Sequence, residues 1–304
     1  MRKIAIVTGA SRGFGRGIAK MLASKGNYIV FATARSKDSL VFLKNEVIKS
    51  DSDGEIIPFV LDQNYDEQVI EFANFVTSSE KKIDLLVNSS YDGLKAMTPH
   101  FGKPFWERPI SVYDGSMNVG VRSSYVLSKL IVPKMIENKK GLIIQISSYG
   151  GFTYLFDVAY GLAHAAMDRL SYEMATELLK YNVRAITVHP GGGKSEVASW
   201  PDGETPEYVA RGVLALIEKA DENYLTKMNG KVVFTVDLAK KFGFTEVSDP
   251  GGLLNKGRSE FLENVMKPIM KNQVQYNENA ELPNYYDWNN EELANMFPEY
   301  KINK

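Results

Sequence analysis

Short, β-branched, nearly all-apolar runs recur along the chain: Ile4–Thr8, Tyr28–Thr33, Ile56–Leu61, Ile83–Val87, Leu142–Ser147, Val183–Val188 and Lys231–Val236. A strand with one wet face alternates apolar and polar residues, so runs this uniform predict strands buried on both faces. Between them lie stretches with helical apolar spacing, at Phe14–Ser24, Leu40–Ile48, Glu67–Val76, Val112–Ile136, Tyr160–Leu179 and Pro206–Ile217. Parallel strands need long crossovers, and helices supply them. The alternation therefore predicts a single doubly wound α/β domain of Rossmann type, its seven-stranded parallel sheet flanked by helices, over residues 1–240. No repeat or low-complexity linker interrupts it.

After Lys240 the rhythm stops, and residues 241–304 read as a C-terminal extension. It contains Phe242–Thr245, the turn-like Asp249-Pro250-Gly251-Gly252 and an amphipathic piece at Phe261–Met270. Its polar end, Glu278–Glu299, carries acids and no base among Tyr285, Tyr286, Trp288 and Phe297. The expectation there is a solvated tail pinned by its aromatics to the body or to a partner subunit.

Composition removes several classes of chemistry. The 304 residues include no cysteine, which excludes disulfides, thiolate nucleophiles and zinc-thiolate sites. The three histidines, His100, His164 and His189, make a metal centre improbable. A net charge of −1 provides no field for steering onto nucleic acid or an anionic membrane. The apolar run Ile4–Val7 is too short for a signal-peptide core or a membrane span. A cytoplasmic protein without a transmembrane segment is expected.

The first strand runs directly into Thr8-Gly9-Ala10-Ser11-Arg12-Gly13-Phe14-Gly15 and then a helix. Gly9, Gly13 and Gly15 permit a tight turn and close approach to a pyrophosphate, whose charge the helix N-terminus stabilises. Position in the first strand-to-helix turn gives the glycine trio its weight. The second strand ends at Ala34-Arg35. A cofactor with a bare ribose usually meets an acid at this point. Arg35, with Arg12 in the turn, instead offers cations to a 2′-phosphate, which predicts NADPH in preference to NADH.

The Thr-Gly-x-x-x-Gly-x-Gly spacing of Thr8 to Gly15 resembles the short-chain dehydrogenase/reductase family, and further matches follow in the family's order. Asp62 resembles the acid that contacts adenine. Asn88 resembles the start of the Asn-Asn-Ala-Gly stretch, and Asn118 the helix asparagine that holds a relay water. Ser147-Ser148 falls where the substrate-binding serine ends the fifth strand. Tyr160 occupies the catalytic tyrosine position, and Pro190-Gly191 follows the sixth strand beside the nicotinamide. Phe105-Trp106-Glu107, Asn118-Val119-Gly120, Tyr154-Leu155-Phe156 and Val236-Asp237-Leu238-Ala239 are similar to the dehydrogenase/reductase member 1 subgroup. The resemblance implies NADPH-dependent reduction of a small carbonyl compound, or oxidation of the alcohol, by a homo-oligomer. It implies catalytic roles for Tyr160, Ser148, His164 and Asn118. The implied cofactor contacts are Gly9, Ser11, Arg12, Gly13, Phe14, Gly15, Arg35, Asp62, Asn88, Tyr160, His164, Pro190, Gly191 and Ser195.

Three departures stand out. The family's Tyr-x-x-x-Lys reads Tyr160-Gly161-Leu162-Ala163-His164 here. Positions i and i+4 share a helix face, so His164 points where the lysine would work, but a histidine is mostly neutral at pH 7 and activates a tyrosine less. The rival reading is an NADP(H)-binding protein with little or no turnover. Asn88-Ser89-Ser90-Tyr91 replaces Asn-Asn-Ala-Gly, and Ser195 stands in for a threonine that meets the nicotinamide carboxamide. The catalytic serine is open between Ser147, by spacing to Tyr160, and Ser148, by the end of the strand; Ser148 is preferred. Residues 95–109, with His100, Phe101, Phe105 and Trp106, together with Tyr154, are expected to wall the substrate pocket.

Overall fold

The structure, a computed structural model, describes residues 2–270 except 51, 197 and 201. The acidic, aromatic stretch at Glu278–Glu299 lies outside the described residues. Seven strands, β1 (Ile4–Val7), β2 (Ile29–Ala34), β3 (Glu55–Val60), β4 (Leu85–Asn88), β5 (Gly141–Ile146), β6 (Val183–His189) and β7 (Val232–Phe234), form one sheet in the order β3-β2-β1-β4-β5-β6-β7. Every neighbouring pair is parallel.

The helices are α1 (Gly13–Ser24), α2 (Lys37–Ile48), α3 (Asp66–Ser79), α4 (Gly93–Met97), α5 (Ser111–Ser116), α6 (Ser123–Glu137), α7 (Val158–Leu178), α8 (Pro206–Glu218), α9 (Glu222–Met228), α10 (Thr235–Phe242), α11 (Leu253–Phe261) and α12 (Lys267–Met270). Successive strand residues face opposite ways, so the uniformly apolar strands feed two cores. On one face Val7, Val30 and Ile144 pack with Ile18 and Leu22 of α1, Leu40 and Leu43 of α2, and Val213 and Leu216 of α8. On the other, Ile6, Phe31 and Ile143 pack with Phe72 and Val76 of α3, Leu127 and Ile131 of α6, and Ala175 and Leu178 of α7.

Two departures from the sequence pattern have local causes. The apolar run at 231–236 yields a strand of only three residues, because the chain turns into α10 at Thr235 with Leu238 and Ala239 buried and Lys240 and Lys241 toward solvent. The expected helix Val112–Ile136 is interrupted at Met117–Arg122 by a π-helical turn, a widening that favours functional regions. The described part of the stretch after Lys240 packs on the β7 edge, where Leu262, Met266 and Met270 close over Val232, Phe234 and Val236. Among the described residues no helix is long and apolar enough to cross a membrane.

The sheet's strand order reverses at β1, whose neighbours are β2 and β4. Loops leaving the two strands diverge there, opening a crevice at the carboxyl ends of the strands.

Candidate active site

A cavity of about 510 Å³ occupies this crevice. One end is the turn after β1, with Gly9, Ser11, Arg12, Gly13, Phe14 and Gly15 in its lining. Gly9 has φ of +66°, and a Cβ there would stand 2.8 Å from the Ser89 carbonyl oxygen. A Cβ on Gly15 would fall 2.5 Å from the Gly9 carbonyl oxygen. Both positions therefore require glycine. Thr8 fixes the facing loop, its Oγ1 accepting from the backbone N–H of Ser89 and Ser90 at 3.0 and 3.2 Å.

The cation that follows β2 is already engaged. Arg35, just past β2, donates from both terminal nitrogens to the two carboxylate oxygens of Asp92, at 3.1 and 2.9 Å. It is thus not the free partner for a phosphate that the sequence suggests. Glu196, in the loop after β6, accepts from the Gly13 backbone N–H at 3.0 Å and from Arg16 at 3.3 Å. Its carboxyl is held below the usual range, burial being opposed by these backbone bonds and by Arg16 and Arg12. Asp62 also lines the cavity, its Oδ1 accepting from the Asn64 backbone and side chain.

At the other end, Asp157 starts α7: its Oδ1 accepts from the backbone N–H of Ala159 and Tyr160, at 2.6 and 3.3 Å. An aspartate in this role is a strong helix start. It places Tyr160 and His164 one turn apart on the buried face of α7. The Tyr160 hydroxyl donates to Ser148 Oγ at 2.7 Å. Ser147, by contrast, turns to His164, its Oγ lying 3.2 Å from Nδ1 and 3.3 Å from the His164 carbonyl oxygen. A serine hydroxyl has one proton; given to the carbonyl, it leaves Oγ to accept from Nδ1–H, so Nε2 keeps its lone pair. Among the described residues Nε2 has no hydrogen-bond partner, and His164 lines the cavity.

Burial dominates the electrostatics. It pushes the Tyr160 phenol up to about 12, with the Ser148 hydrogen bond opposing. It pulls His164 down to about 3, assisted by His189. His164 is therefore neutral at pH 7, and among the described residues no cation acts on Tyr160 in the way the family's lysine would.

Two aromatics, Tyr91 and Phe156, frame the tyrosine. Tyr91 meets it edge-on at 5.8 Å and leans on His164 at 4.8 Å, with its hydroxyl donating to Ser116 Oγ at 3.1 Å. Phe156 meets Tyr160 edge-on at 5.2 Å and approaches Trp200 at 6.0 Å. Phe156 has φ of +67°, a conformation that costs a side-chain-bearing residue on the order of 1 kcal/mol. Arg108 holds it there. Its NH2 donates to the Phe156 carbonyl at 3.3 Å, Nε donates to the Lys103 carbonyl at 2.8 Å, and NH1 forms a buried 2.6 Å ion pair with Asp157.

The expected pocket wall changes accordingly. Phe101 lines the cavity, but His100, Phe105, Trp106 and Tyr154 do not; Trp106 and Tyr154 are 72% and 75% exposed. With Arg108 drawn inward, the short turn preceding it presents its rings to solvent. Leu155, Phe156 and Trp200 form the apolar lining instead. Asn118 is exposed and lies outside the cavity lining, whereas Val119 contributes to it. The π turn has more residues per turn, so each side chain advances by less than an α-helical step, and the shifted phase places Val119 there. Asn88 is also outside the lining, buried and donating to Ser128 Oγ at 3.1 Å. Pro190, Gly191 and Ser195 line it after β6. Tyr91, Asp92, Phe156 and Glu196 are site residues that sequence reasoning did not single out. Asp157, directly before an apolar helical stretch, had a legible signal as a helix cap.

A parallel sheet with a glycine turn at its switch point defines the class, a protein of dinucleotide-binding fold, and the same cavity holds a tyrosine hydroxyl bonded to a serine. Comparison with known proteins makes this specific. The profile of the short chain dehydrogenase family matches residues 3–202. The chain is 33% identical to dehydrogenase/reductase SDR family member 1 of Mus musculus and 32% identical to that of Homo sapiens. Each match runs over 266 residues, 81% of this chain and 83% of the relative. A crystal structure of a metagenomic short-chain oxidoreductase in complex with NADP superposes with a TM-score of 0.64 at 29% identity, covering 76% of this chain and 96% of that one. The chain belongs to the short-chain dehydrogenase/reductase family of oxidoreductases.

Proposed function

We propose that the protein reduces a ketone or aldehyde with NADPH, Tyr160 donating the proton. The observation that carries this is the 2.7 Å hydrogen bond between Tyr160 and Ser148 at the wall of a cavity that continues to the glycine turn.

The residues fit a dinucleotide. Gly9 and Gly15 let the turn pack against the Ser89 backbone and on itself at the N-terminus of α1, where a pyrophosphate would be stabilised. The partnerless Nε2 of His164 is an acceptor for a ribose hydroxyl at the buried end. Gly9, Ser11, Arg12, Gly13, Phe14 and Gly15 would hold the phosphates. Asp62 and Arg35 would face the adenosine, and Pro190, Gly191 and Ser195 the nicotinamide. When bound, NADPH supplies the hydride that reduces the carbonyl carbon.

Ser148 Oγ and the Tyr160 hydroxyl together orient the carbonyl oxygen, as donors aimed at a developing alkoxide do. Tyr160 then releases its proton to that oxygen, completing the alcohol. A phenol pushed up to about 12 is fully protonated at neutral pH, so the donor state needs no activation. The reverse direction needs the phenolate, which this site disfavours. Leu155, Phe156 and Trp200 suit an apolar carbonyl compound.

A second reading, a cofactor-binding protein with little or no turnover, is favoured by one observation: buried, neutral His164 in place of a cation. Following NADPH oxidation over a broad carbonyl panel tests both. Turnover abolished in Tyr160→Phe supports the reductase. NADPH binding by fluorescence with no consumption over the whole panel supports the second reading. Exposed Tyr125 on α6, with Val158 and Leu162 on α7, suits pairing of copies as a homo-oligomer, and a light-scattering mass near the 34.0 kDa of one chain would refute that part.

A further inference from the structure

Arg35 and Asp92 meet across the rim of the cavity from two loops, one leaving β2 and the other leaving β4. The contact is a parallel fork, each guanidinium nitrogen on its own carboxylate oxygen, the geometry that makes arginine selective for planar anions. A phosphate on the ribose would compete with Asp92 for this guanidinium, two of whose five N–H groups the carboxylate already takes. Asp62, on the cavity wall, adds a second carboxylate whose charge acts on the same guanidinium. Arg12 and Lys95 also line the cavity, but the two carboxylates act on the guanidinium of Arg35 itself.

We propose that Asp92 is a positioning residue for Arg35 that sets the phosphate selectivity of the nucleotide site: it competes with a 2′-phosphate for the guanidinium and holds the preference below what Arg35 alone would give. The proposal rests on the dinucleotide-binding reading and deepens it. A bare ribose leaves the fork intact, with carboxylates nearby to accept from its hydroxyls. A 2′-phosphate meets an Arg35 whose charge Asp92 already offsets and whose fork it must share or displace, and it also approaches Asp62. Asp92→Asn keeps the side-chain shape, removes one of the two negative charges and weakens the fork, so it frees the guanidinium without deleting it.

The test uses fragments that isolate the adenosine end. Adenosine 2′,5′-bisphosphate and 5′-AMP are titrated by calorimetry into the full chain and into D92N, R35A and the double variant. In D92N the bisphosphate binds about tenfold tighter, while 5′-AMP stays within about twofold. R35A loses the preference for the bisphosphate, and adding D92N to it recovers no more than about twofold, because the gain acts through Arg35. A merely structural defect would weaken both nucleotides together. Equal changes for both in D92N overturn the proposal, and so does a lowered preference, which would mean that Asp92 orients Arg35 for the phosphate. Intact NADPH and NADH separate the two levels of inference. Binding of either, with an unchanged ratio in D92N, overturns only the role of Asp92; binding of neither by the unaltered protein overturns the dinucleotide reading with it.

Discussion

Restoring the family's lysine, by His164→Lys, tests the acid–base argument where it is most exposed. With the Tyr160 phenol at about 12, about one site in 10⁵ is ionised at pH 7. Reduction needs the phenol and should be flat across neutral pH. Oxidation of the product alcohol needs the phenolate and should climb about tenfold per pH unit, without a plateau below pH 11. The rings of Tyr160 and His164 are 4.2 Å apart, so an ammonium carried at position 164 lies within about 5 Å of the phenol. At an effective dielectric constant of about 20 its attraction for the phenolate is about 3 kcal/mol, or about two pKa units. Burial taxes the new cation as it does the phenolate, so two units is the upper bound. The expected result is an oxidation profile that levels one to two pH units lower and a rate at pH 7 raised by about ten- to a hundredfold. Reduction at pH 7 should change little. The assay is initial-rate NADP⁺ reduction and NADPH oxidation from pH 6 to 11, with Tyr160→Phe as the blank. Oxidation profiles of H164K and the unaltered protein that superimpose would refute the electrostatic account of this site.

Glu204 is buried, and burial raises its carboxyl to about 7, with Arg258 opposing. Its folded pKa lies above the unfolded 4.5, so its contribution to stability is full below pH 4.5 and is lost as pH rises through 7. Glu204→Gln should therefore match the unaltered protein near pH 4.5 and exceed it by up to about 3 kcal/mol at pH 8; urea unfolding at both pH values checks this, and an equal difference at both would contradict it. Arg108→Met leaves buried Asp157 without its counter-ion and should cost about 3 kcal/mol in urea unfolding. Adding Asp157→Asn to it should recover part of that loss. Glu196→Gln removes a carboxylate from the helix N-terminus at Gly13, so NADPH and NADH should both bind about threefold tighter in fluorescence titrations. A change for one cofactor alone would show that Glu196 acts elsewhere.

What the sequence revealed and what it hid divide along a physical line. Burial on two faces writes itself into every residue of a strand, so Ile4–Val7 and Leu85–Asn88 announce a parallel sheet without any knowledge of their neighbours. The i,i+4 geometry of α7 likewise places His164 beside Tyr160 from spacing alone. The pairs that tune the site have no such local record. Arg35 meets Asp92 from 57 residues away, and Gly13 meets Glu196 from 183 away. Asp92 and Glu196, read alone, are ordinary solvated charges. Arg108 shows the consequence: its sequence neighbours Phe105 and Trp106 read as pocket wall, yet one buried ion pair to Asp157 draws the arginine inward and leaves them facing solvent. The same arginine, through the Phe156 carbonyl, holds a left-handed backbone that sets the Phe156 ring edge-on to Tyr160. The fold is thus specified by local pattern, whereas the charge pairs that frame the site join residues far apart in sequence. Substitutions at Arg35, Asp92, Arg108 and Asp157 should consequently alter function or stability while leaving the strand and helix pattern intact.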